Sequence, residues 1–392
     1  MIDPGKLTEI LKYRGIYKFF GVPDSLLKAL SAVLEQDNEI HHAITPNEGI
    51  AISRAIGSFL ATQKIPAVYM QNSGMGNAIN PILSLADSKV YGIPMLIIVG
   101  WRGELLDDIQ IKDEPQHVKQ GEVTIPLIES MKYKYHMLEF NSDPVQVVND
   151  CLHDIEMNHE PVFMVVRKGT FSSLPNLNQN IDSEYDLSRE SVIEHLLMLL
   201  PSNVKYIATT GKAGRELYEL RNIRSETHAN DFLCVGGMGH ASSIAAEIAT
   251  ELPEHIITCI DGDGSTLMHL ASIQLCAKCN NLLHVIIDNG AHESVGGQPT
   301  TFRDLDSRRL GQCFGYQCSK VVISTDQLRQ AIEQFKHKQV STLLIVRCRQ
   351  GSRINLGRPE TPPVEQRSAF ISSLNTYQGE KNEKDGTAFL QS

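Results

Sequence analysis

The segment from Ile260 to Leu270 reads IDGDGSTLMHL, an apolar run that breaks into Asp261-Gly262-Asp263-Gly264-Ser265 before a helical pattern begins. Glycines at such a turn let the backbone approach a phosphate closely, and the start of a helix offers N–H groups at its positive end. Asp263 adds a hard carboxylate oxygen suited to Mg2+. The next apolar run, LLHVIID, ends in Asp288-Asn289-Gly290, placing Asn289 26 residues beyond Asp263. Alone, each is an ordinary acidic turn. At the carboxyl ends of consecutive strands, the two side chains can meet at one ion.

Other residues carry usable chemistry. Glu48, in Thr45-Pro46-Asn47-Glu48-Gly49, follows a strand-like run and opens a helix rich in small residues. Taken alone, an acid there is a favourable partner of the helix dipole. His117 stands in a polar stretch read as a loop, where an imidazole titrates near neutral pH. Asp24 precedes Ser25-Leu26-Leu27, which suits a helix N-cap. Lys28, Arg102 and Arg353 are cations able to meet an anionic ligand, and an arginine fork fits tetrahedral oxyanions.

These residues need elements to hold them. Helical spacing at 6–13, 25–35, 48–61, 79–88 and 144–157 alternates with strand-like runs at 17–20, 41–44, 67–71, 94–100 and 162–167. Phe171 to Arg189 is rich in Ser, Asn and Asp and reads as a linker. The alternation then restarts, with helices at 189–200, 214–220, 241–250, 267–278 and 326–336. Strands are expected at 205–209, 256–260, 282–287 and 342–347. Two α/β halves follow, each able to form a mainly parallel sheet flanked by helices. Ligands of such sheets bind beyond the carboxyl ends of the strands.

Composition bounds the function. With 392 residues, 42% of them hydrophobic and 21% charged, the chain has material for two full cores. A net charge of -10 disfavours a nucleic-acid or anionic-membrane partner. It also leaves any bound phosphate to local devices. No stretch has the length and apolarity of a membrane span. The start lacks a signal-peptide layout and eight scattered cysteines suit reduced thiols, so the expected location is cytoplasmic.

With these residues in view, the chain resembles the thiamine-diphosphate enzymes. The marks are Gly262-Asp263-Gly264 with Asn289, and Glu48 in the other half. Within them it resembles the phosphonopyruvate decarboxylases. The narrower likeness rests on Phe20-Gly21-Val22-Pro23-Asp24-Ser25, Met70 to Asn77 (MQNSGMGN), Gly100 to Glu104 (GWRGE), Asp113 to His117 (DEPQH) and Gly236 to His240 (GGMGH). Arg167 to Thr170 (RKGT), Gly296 to Pro299 (GGQP) and Gly351-Ser352-Arg353 add to it. It spans about Lys6 to about Pro363. Two departures are Gly237 where a Ser is common before Met238, and Glu293 where an Asp is common. Sulfopyruvate decarboxylase is a near relative of this family, often with its halves on separate chains.

The resemblance implies two thiamine-diphosphate-binding-type domains with no middle domain. They are a pyrimidine-binding domain over 1–170, a linker over 171–188, a diphosphate-binding domain over 189–372 and a polar tail over 373–392. It implies thiamine diphosphate and Mg2+ as cofactors, the metal being held by Asp263, Asn289 and the carbonyl of Ala291. The cofactor is held by Glu48, Gly211, Gly237, Met238, Gly262, Asp263, Gly264, Ser265 and Asn289. In the family the Glu activates the aminopyrimidine ring and the residue matching Met238 props the bent cofactor. His117, aided by Asp24, becomes the proton donor. Ser25, Lys28, Asn72, Arg102 and Arg353 are assigned to the substrate. The reaction so implied converts 3-phosphonopyruvate to phosphonoacetaldehyde and CO2, pulling forward a carbon–phosphorus bond-forming step in phosphonate biosynthesis. A homo-oligomer of at least two chains is implied, with active sites between chains. The alternatives are a sulfopyruvate decarboxylase, a thiamine-dependent transferase (carboligase), and a non-enzymatic protein keeping only the fold. The last is disfavoured by the joint presence of Glu48, Asp263 and Asn289.

Overall fold

Long apolar runs become strands buried on both faces of a sheet. The computed structural model describes residues 1–107, 109–173 and 185–374. Much of the expected linker and nearly all of the expected tail therefore lie outside the described residues. The chain divides into two compact units, Met1–Gln179 with His292–Thr300, and Asn180–Ala291 with Thr301–Ser392.

The strands of the first unit are β1 (Lys18–Gly21), β2 (His41–Ile44), β3 (Ala67–Gln71) and β4 (Leu96–Gly100). A two-residue antiparallel pair, β5 (Leu105–Leu106) and β6 (Ile109–Gln110), precedes β7 (Tyr135–Leu138) and β8 (Val162–Val166). The main sheet runs β2-β1-β3-β4-β8-β7, with every neighbouring pair parallel. All five residues of β4 are buried, and they alternate between two cores. Leu96 and Ile98 join Leu7, Leu11, Leu30 and Leu34 on one face. Ile97 and Val99 join Ala51, Ile52 and Ala55 of the helix Glu48–Thr62 on the other.

The second unit repeats this plan. Its strands are β9 (Lys205–Ala208), β10 (Asp231–Leu233), β11 (Ile257–Gly262), β12 (Leu282–Asp288), β13 (Cys318–Val322) and β14 (Thr342–Arg347). They form a parallel sheet in the order β10-β9-β11-β12-β14-β13. Counting the six main strands of each unit in chain order, both sheets read 2-1-3-4-6-5. The order reverses between strands 1 and 3, so the loops leaving those strands part and open a crevice at their carboxyl ends. Asp24 follows β1, Asn72 follows β3 and Arg102 follows β4. In the second unit, Thr209, Asp263 and Asn289 follow β9, β11 and β12.

Several expected elements differ. The helix read over 267–278 is three short pieces: Asp263–Met268, a 3-10 turn Leu270–Ser272 and Ile273–Cys276. The helix read over 79–88 starts earlier, at Met75–Pro81, and continues as a wider π turn, Ile82–Ala86, after Pro81 removes an N–H from the ladder. The polar stretch after β4 contains the helix Pro115–Ser130, so His117 sits on a helix rather than in a loop. Among the described residues, no helix is long and apolar enough to cross a membrane.

Candidate active site

In the second unit the site is built on the end of β11. Gly262 keeps extended backbone as the N-cap of the helix Asp263–Met268, and a Cβ there would meet nothing within 4 Å. That leaves open space beside the first turn. Asp263, Ser265 and Thr266 are buried, and Thr266 Oγ1 has no hydrogen-bond partner. Ser265 Oγ lies 2.8 Å from Thr209 Oγ1 and accepts from Gly239 N at 3.0 Å, which ties the loops after β9, β10 and β11 together. Gly239 has φ +89, and a side chain there would strike His269 and the Ser265 carbonyl. On neighbouring β12, Asn289 is buried and its Oδ1 accepts from Ala291 N at 3.1 Å. Asp263, Asn289 and Ala291 thus sit just past the ends of two paired strands.

Behind this turn lies a buried pair. Asp261 Oδ1 accepts from Gly262 N at 3.0 Å, and Oδ2 faces His284 Nε2 at 3.7 Å. His284 Nδ1 is 2.8 Å from the Tyr316 hydroxyl. Burial opposes a charge on His284, yet Tyr316, Cys259, Cys276 and Asp261 outweigh it and push its pKa well up.

In the first unit, Asn47 caps the helix Glu48–Thr62 by accepting from Gly49 N at 2.8 Å. Glu48 then turns inward: it is 5% exposed, and its Oε2 accepts from Asn77 Nδ2 at 2.8 Å. Burial pushes its carboxyl pKa up against the lowering effect of Asn77. Gly74 makes room for it, since a Cβ at Gly74 would overlap the Glu48 carboxylate.

The loops after β1, β3 and β4 form a second cluster in this unit. Asp24 is 1% exposed; its Oδ2 accepts from the N–H groups of Leu26 (3.0 Å) and Leu27 (3.1 Å), while Oδ1 has no partner. Burial pushes its pKa up to about 6, against the opposing pull of the two N–H groups and the Arg102 charge. Gly100 at the end of β4 leaves the space Asp24 fills. Arg102 donates from Nη1 to Ser25 Oγ at 2.8 Å and from Nε to Asp113 Oδ2 at 2.8 Å. Asn72 clamps the Arg102 backbone, accepting from its N at 3.2 Å and donating to its carbonyl at 2.9 Å. His117 lies in the first turn of the helix Pro115–Ser130, 9% exposed.

Comparison with known proteins supplies the family. The thiamine pyrophosphate enzyme N-terminal binding domain matches residues 6–125, and the corresponding C-terminal domain matches 209–346. A phosphonopyruvate decarboxylase of Streptomyces hygroscopicus is 30% identical over 94% of this chain and 93% of its own. The chain belongs to the phosphonopyruvate decarboxylase family of thiamine-pyrophosphate enzymes. The phosphonopyruvate decarboxylase of Streptomyces viridochromogenes is 29% identical over 96% of both chains. A sulfopyruvate decarboxylase of Methanosarcina acetivorans is 25% identical over 94% of this chain and 97% of its own.

Against this family's pattern, Gly211 and Gly237 have φ +95 and +65, backbone that glycine adopts without strain. Met238 is half-buried in the loop after β10. Lys28 is exposed at the start of the helix Lys28–Gln36. Arg353 is already held between carboxylates, donating from Nε to Glu190 at 2.7 Å and pairing with Glu219. Asn72, expected to offer its amide to substrate, spends it on Arg102 and on Thr124 Oγ1 at 2.9 Å. Sequence reading gave no role to Asn77, Gly74, Gly100, Asp113 or Thr209. Four of these fall inside the quoted runs MQNSGMGN, GWRGE and DEPQH, but their partners are distant in the chain.

Proposed function

We propose that this chain decarboxylates 3-phosphonopyruvate to phosphonoacetaldehyde and CO2, using thiamine diphosphate and Mg2+. The observation that carries the reading is the first-unit cluster, where a fixed guanidinium and a buried acid of raised pKa share one set of loops. Fit to the cofactor is supported by the open space at Gly262, the partnerless Thr266 hydroxyl, and three buried oxygen donors at paired strand ends. Asp263, Asn289 and the Ala291 carbonyl would hold the cation, a donor set of hard oxygens. Gly211, Gly237, Gly262, Gly264 and Ser265 would line the diphosphate and Met238 the thiazolium. When bound, thiamine diphosphate supplies the nucleophilic carbon and the electron sink for CO2 loss.

The chain's own residues supply the rest. Glu48, buried and with its pKa raised by that burial, would face the aminopyrimidine ring and hold the proton used in its activation. Arg102 and Ser25 grip the phosphonate head, with Lys28 at the mouth. Asn72 acts through Arg102, and Arg353 contributes from within its carboxylate pair. Asp24, whose pKa of about 6 leaves it partly protonated near neutrality, and His117 return a proton to the carbon that loses CO2. An assembly of at least two chains and a cytoplasmic location belong to the same reading.

Comparing kcat/KM for phosphonopyruvate, sulfopyruvate and pyruvate tests it. The expected order is phosphonopyruvate first and pyruvate last, because pyruvate leaves Arg102 and Ser25 without a ligand. Sulfopyruvate equal to or better than phosphonopyruvate would make the chain a sulfopyruvate decarboxylase. A product joining two carbonyl compounds in the presence of an added aldehyde would make it a transferase.

A further inference from the structure

Asp113 has no assigned role, yet four N–H donors converge on its carboxylate. Oδ2 accepts from Arg102 Nε at 2.8 Å and Gly103 N at 3.0 Å. Oδ1 accepts from Arg102 Nη2 and from Glu114 N at 2.8 Å. A carboxylate offers about four acceptor sites, so this one is saturated. The Arg102 and backbone bonds overcome the opposing effect of burial and hold its pKa well below the usual range. A carboxylate in this state takes no proton and has no site left for a cation. What it does is fix a side chain.

That side chain is Arg102. A guanidinium has five N–H donors in a rigid fork. Asp113 takes two along one edge and Ser25 takes one, which leaves one N–H on each terminal nitrogen. The backbone is held as firmly. Asn72 clamps Arg102, and Gly103, at φ +64, lies so close to the His117 carbonyl that a Cβ would overlap it. Gly121 meets the Gly103 carbonyl in the same way. Asp113 also precedes Glu114, the N-cap of the helix whose first turn carries His117.

We infer that Asp113 is the positioning residue of the anion subsite: it holds Arg102 by one edge so that the two remaining N–H groups stay set for the substrate's tetrahedral anionic head. The inference rests on the decarboxylase reading, with Arg102 as the group that meets the head. Pre-setting the fork removes most of the ordering entropy that a long flexible cation would otherwise lose on binding.

The test compares Asp113→Asn, Asp113→Glu and Arg102→Ala in the full-length, cofactor-loaded enzyme. KM and kcat for phosphonopyruvate are measured together with the inhibition constant of 3-phosphonopropionate, an unreactive diacid with the same head. Asp113→Asn should raise KM and the inhibition constant by tenfold or more, with a smaller change in kcat. Asp113→Glu should recover part of that loss. Asp113→Asn combined with Arg102→Ala should bind no worse than Arg102→Ala alone. Wild-type KM and inhibition constant in Asp113→Asn would overturn the inference, as would an equal fall in kcat and cofactor affinity without a selective loss of head-group binding. If Arg102→Ala itself leaves both constants unchanged, the assignment of Arg102 to the head fails instead. If Asp113→Asn cannot be folded, Asp113→Ser, which also removes the carboxylate, decides by the same criterion: unchanged constants overturn the inference.

Discussion

Glu48 and Asp24 are both buried acids of raised pKa, but they are arranged differently. Glu48 keeps one hydrogen bond from Asn77 and sits at a capped helix start. Replacing it with Gln preserves shape and hydrogen bonding but removes the exchangeable proton. Glu48→Gln should therefore bind thiamine diphosphate while turnover falls by about a hundredfold or more, the scale of a positioned acid–base group. Proton exchange at the cofactor's reactive carbon is the readout, and a wild-type exchange rate would remove Glu48 from the role. Asp24 makes a different prediction, through stability. Its pKa is raised from 3.8 to about 6, so between those values the folded chain holds more protons than the unfolded one, and stability falls as pH rises. About two units correspond to roughly 3 kcal/mol at neutral pH. Asp24→Asn removes this penalty and keeps an acceptor for the Leu26 and Leu27 N–H groups. The variant should melt several degrees higher at pH 7.5, lose that advantage near pH 3.5, and turn over slowly. A lower Tm at pH 7.5 would mean that the charge is stabilised by contacts other than those described.

At the scale of elements, glycines decide whether the acids fit. The 3-10 turn Asn72–Gly74 leaves β3 and runs against Glu48, so Gly74→Ala pushes a methyl group into the carboxylate. We expect a loss of about 1–3 kcal/mol in stability, the usual range for overpacking, with a larger proportional fall in kcat. Chemical denaturation alongside steady-state kinetics would show this, and wild-type kcat would mean that Glu48 relaxes without cost. These same elements show what the sequence made readable. The strands β3, β4, β8 and β12 were legible because residues buried on both faces are nearly all apolar. Three of the four edge strands, β7, β10 and β13, were not, since they are short or only half-buried and mix polar with apolar residues. The helix Pro115–Ser130 was hidden for another reason. Its buried face is His117, Gly121, Thr124 and Ile128, a helical spacing written mostly in polar and small residues. Apolar periodicity cannot reveal such a face, and the residues that set Arg102 lie against it. The strand-to-helix turn at Gly262-Asp263-Gly264 was legible because its residue types are few and local, whereas Asn77–Glu48 and Asp113–Arg102 are pairings that only the fold makes.

For the whole molecule, charge is the constraint. The two units share one strand order, and each presents its chemistry at carboxyl strand ends, yet the chain as a whole carries a net charge of -10. Neither the diphosphate nor the phosphonate is drawn in by that field, and at about 0.1 M salt charges farther than roughly 10 Å from a ligand are largely screened. Binding of each anion must therefore be local. In the first unit the device proposed for this is Arg102, held by Asp113. In the second unit, Asp263 adds a negative charge at the place proposed for the diphosphate, so the cofactor should bind there only together with a cation. Removing divalent ions should thus weaken thiamine diphosphate binding by about a hundredfold or more, in line with the several kcal/mol that a metal contributes against clustered charge. Adding Mg2+ back should restore it. Asp263→Ala should bind the cofactor weakly and lose most of this Mg2+ dependence. Titration calorimetry of the EDTA-treated protein, with and without Mg2+, measures both effects. Full cofactor affinity in EDTA would show that backbone N–H groups and the helix start suffice, and Asp263 would then need another role.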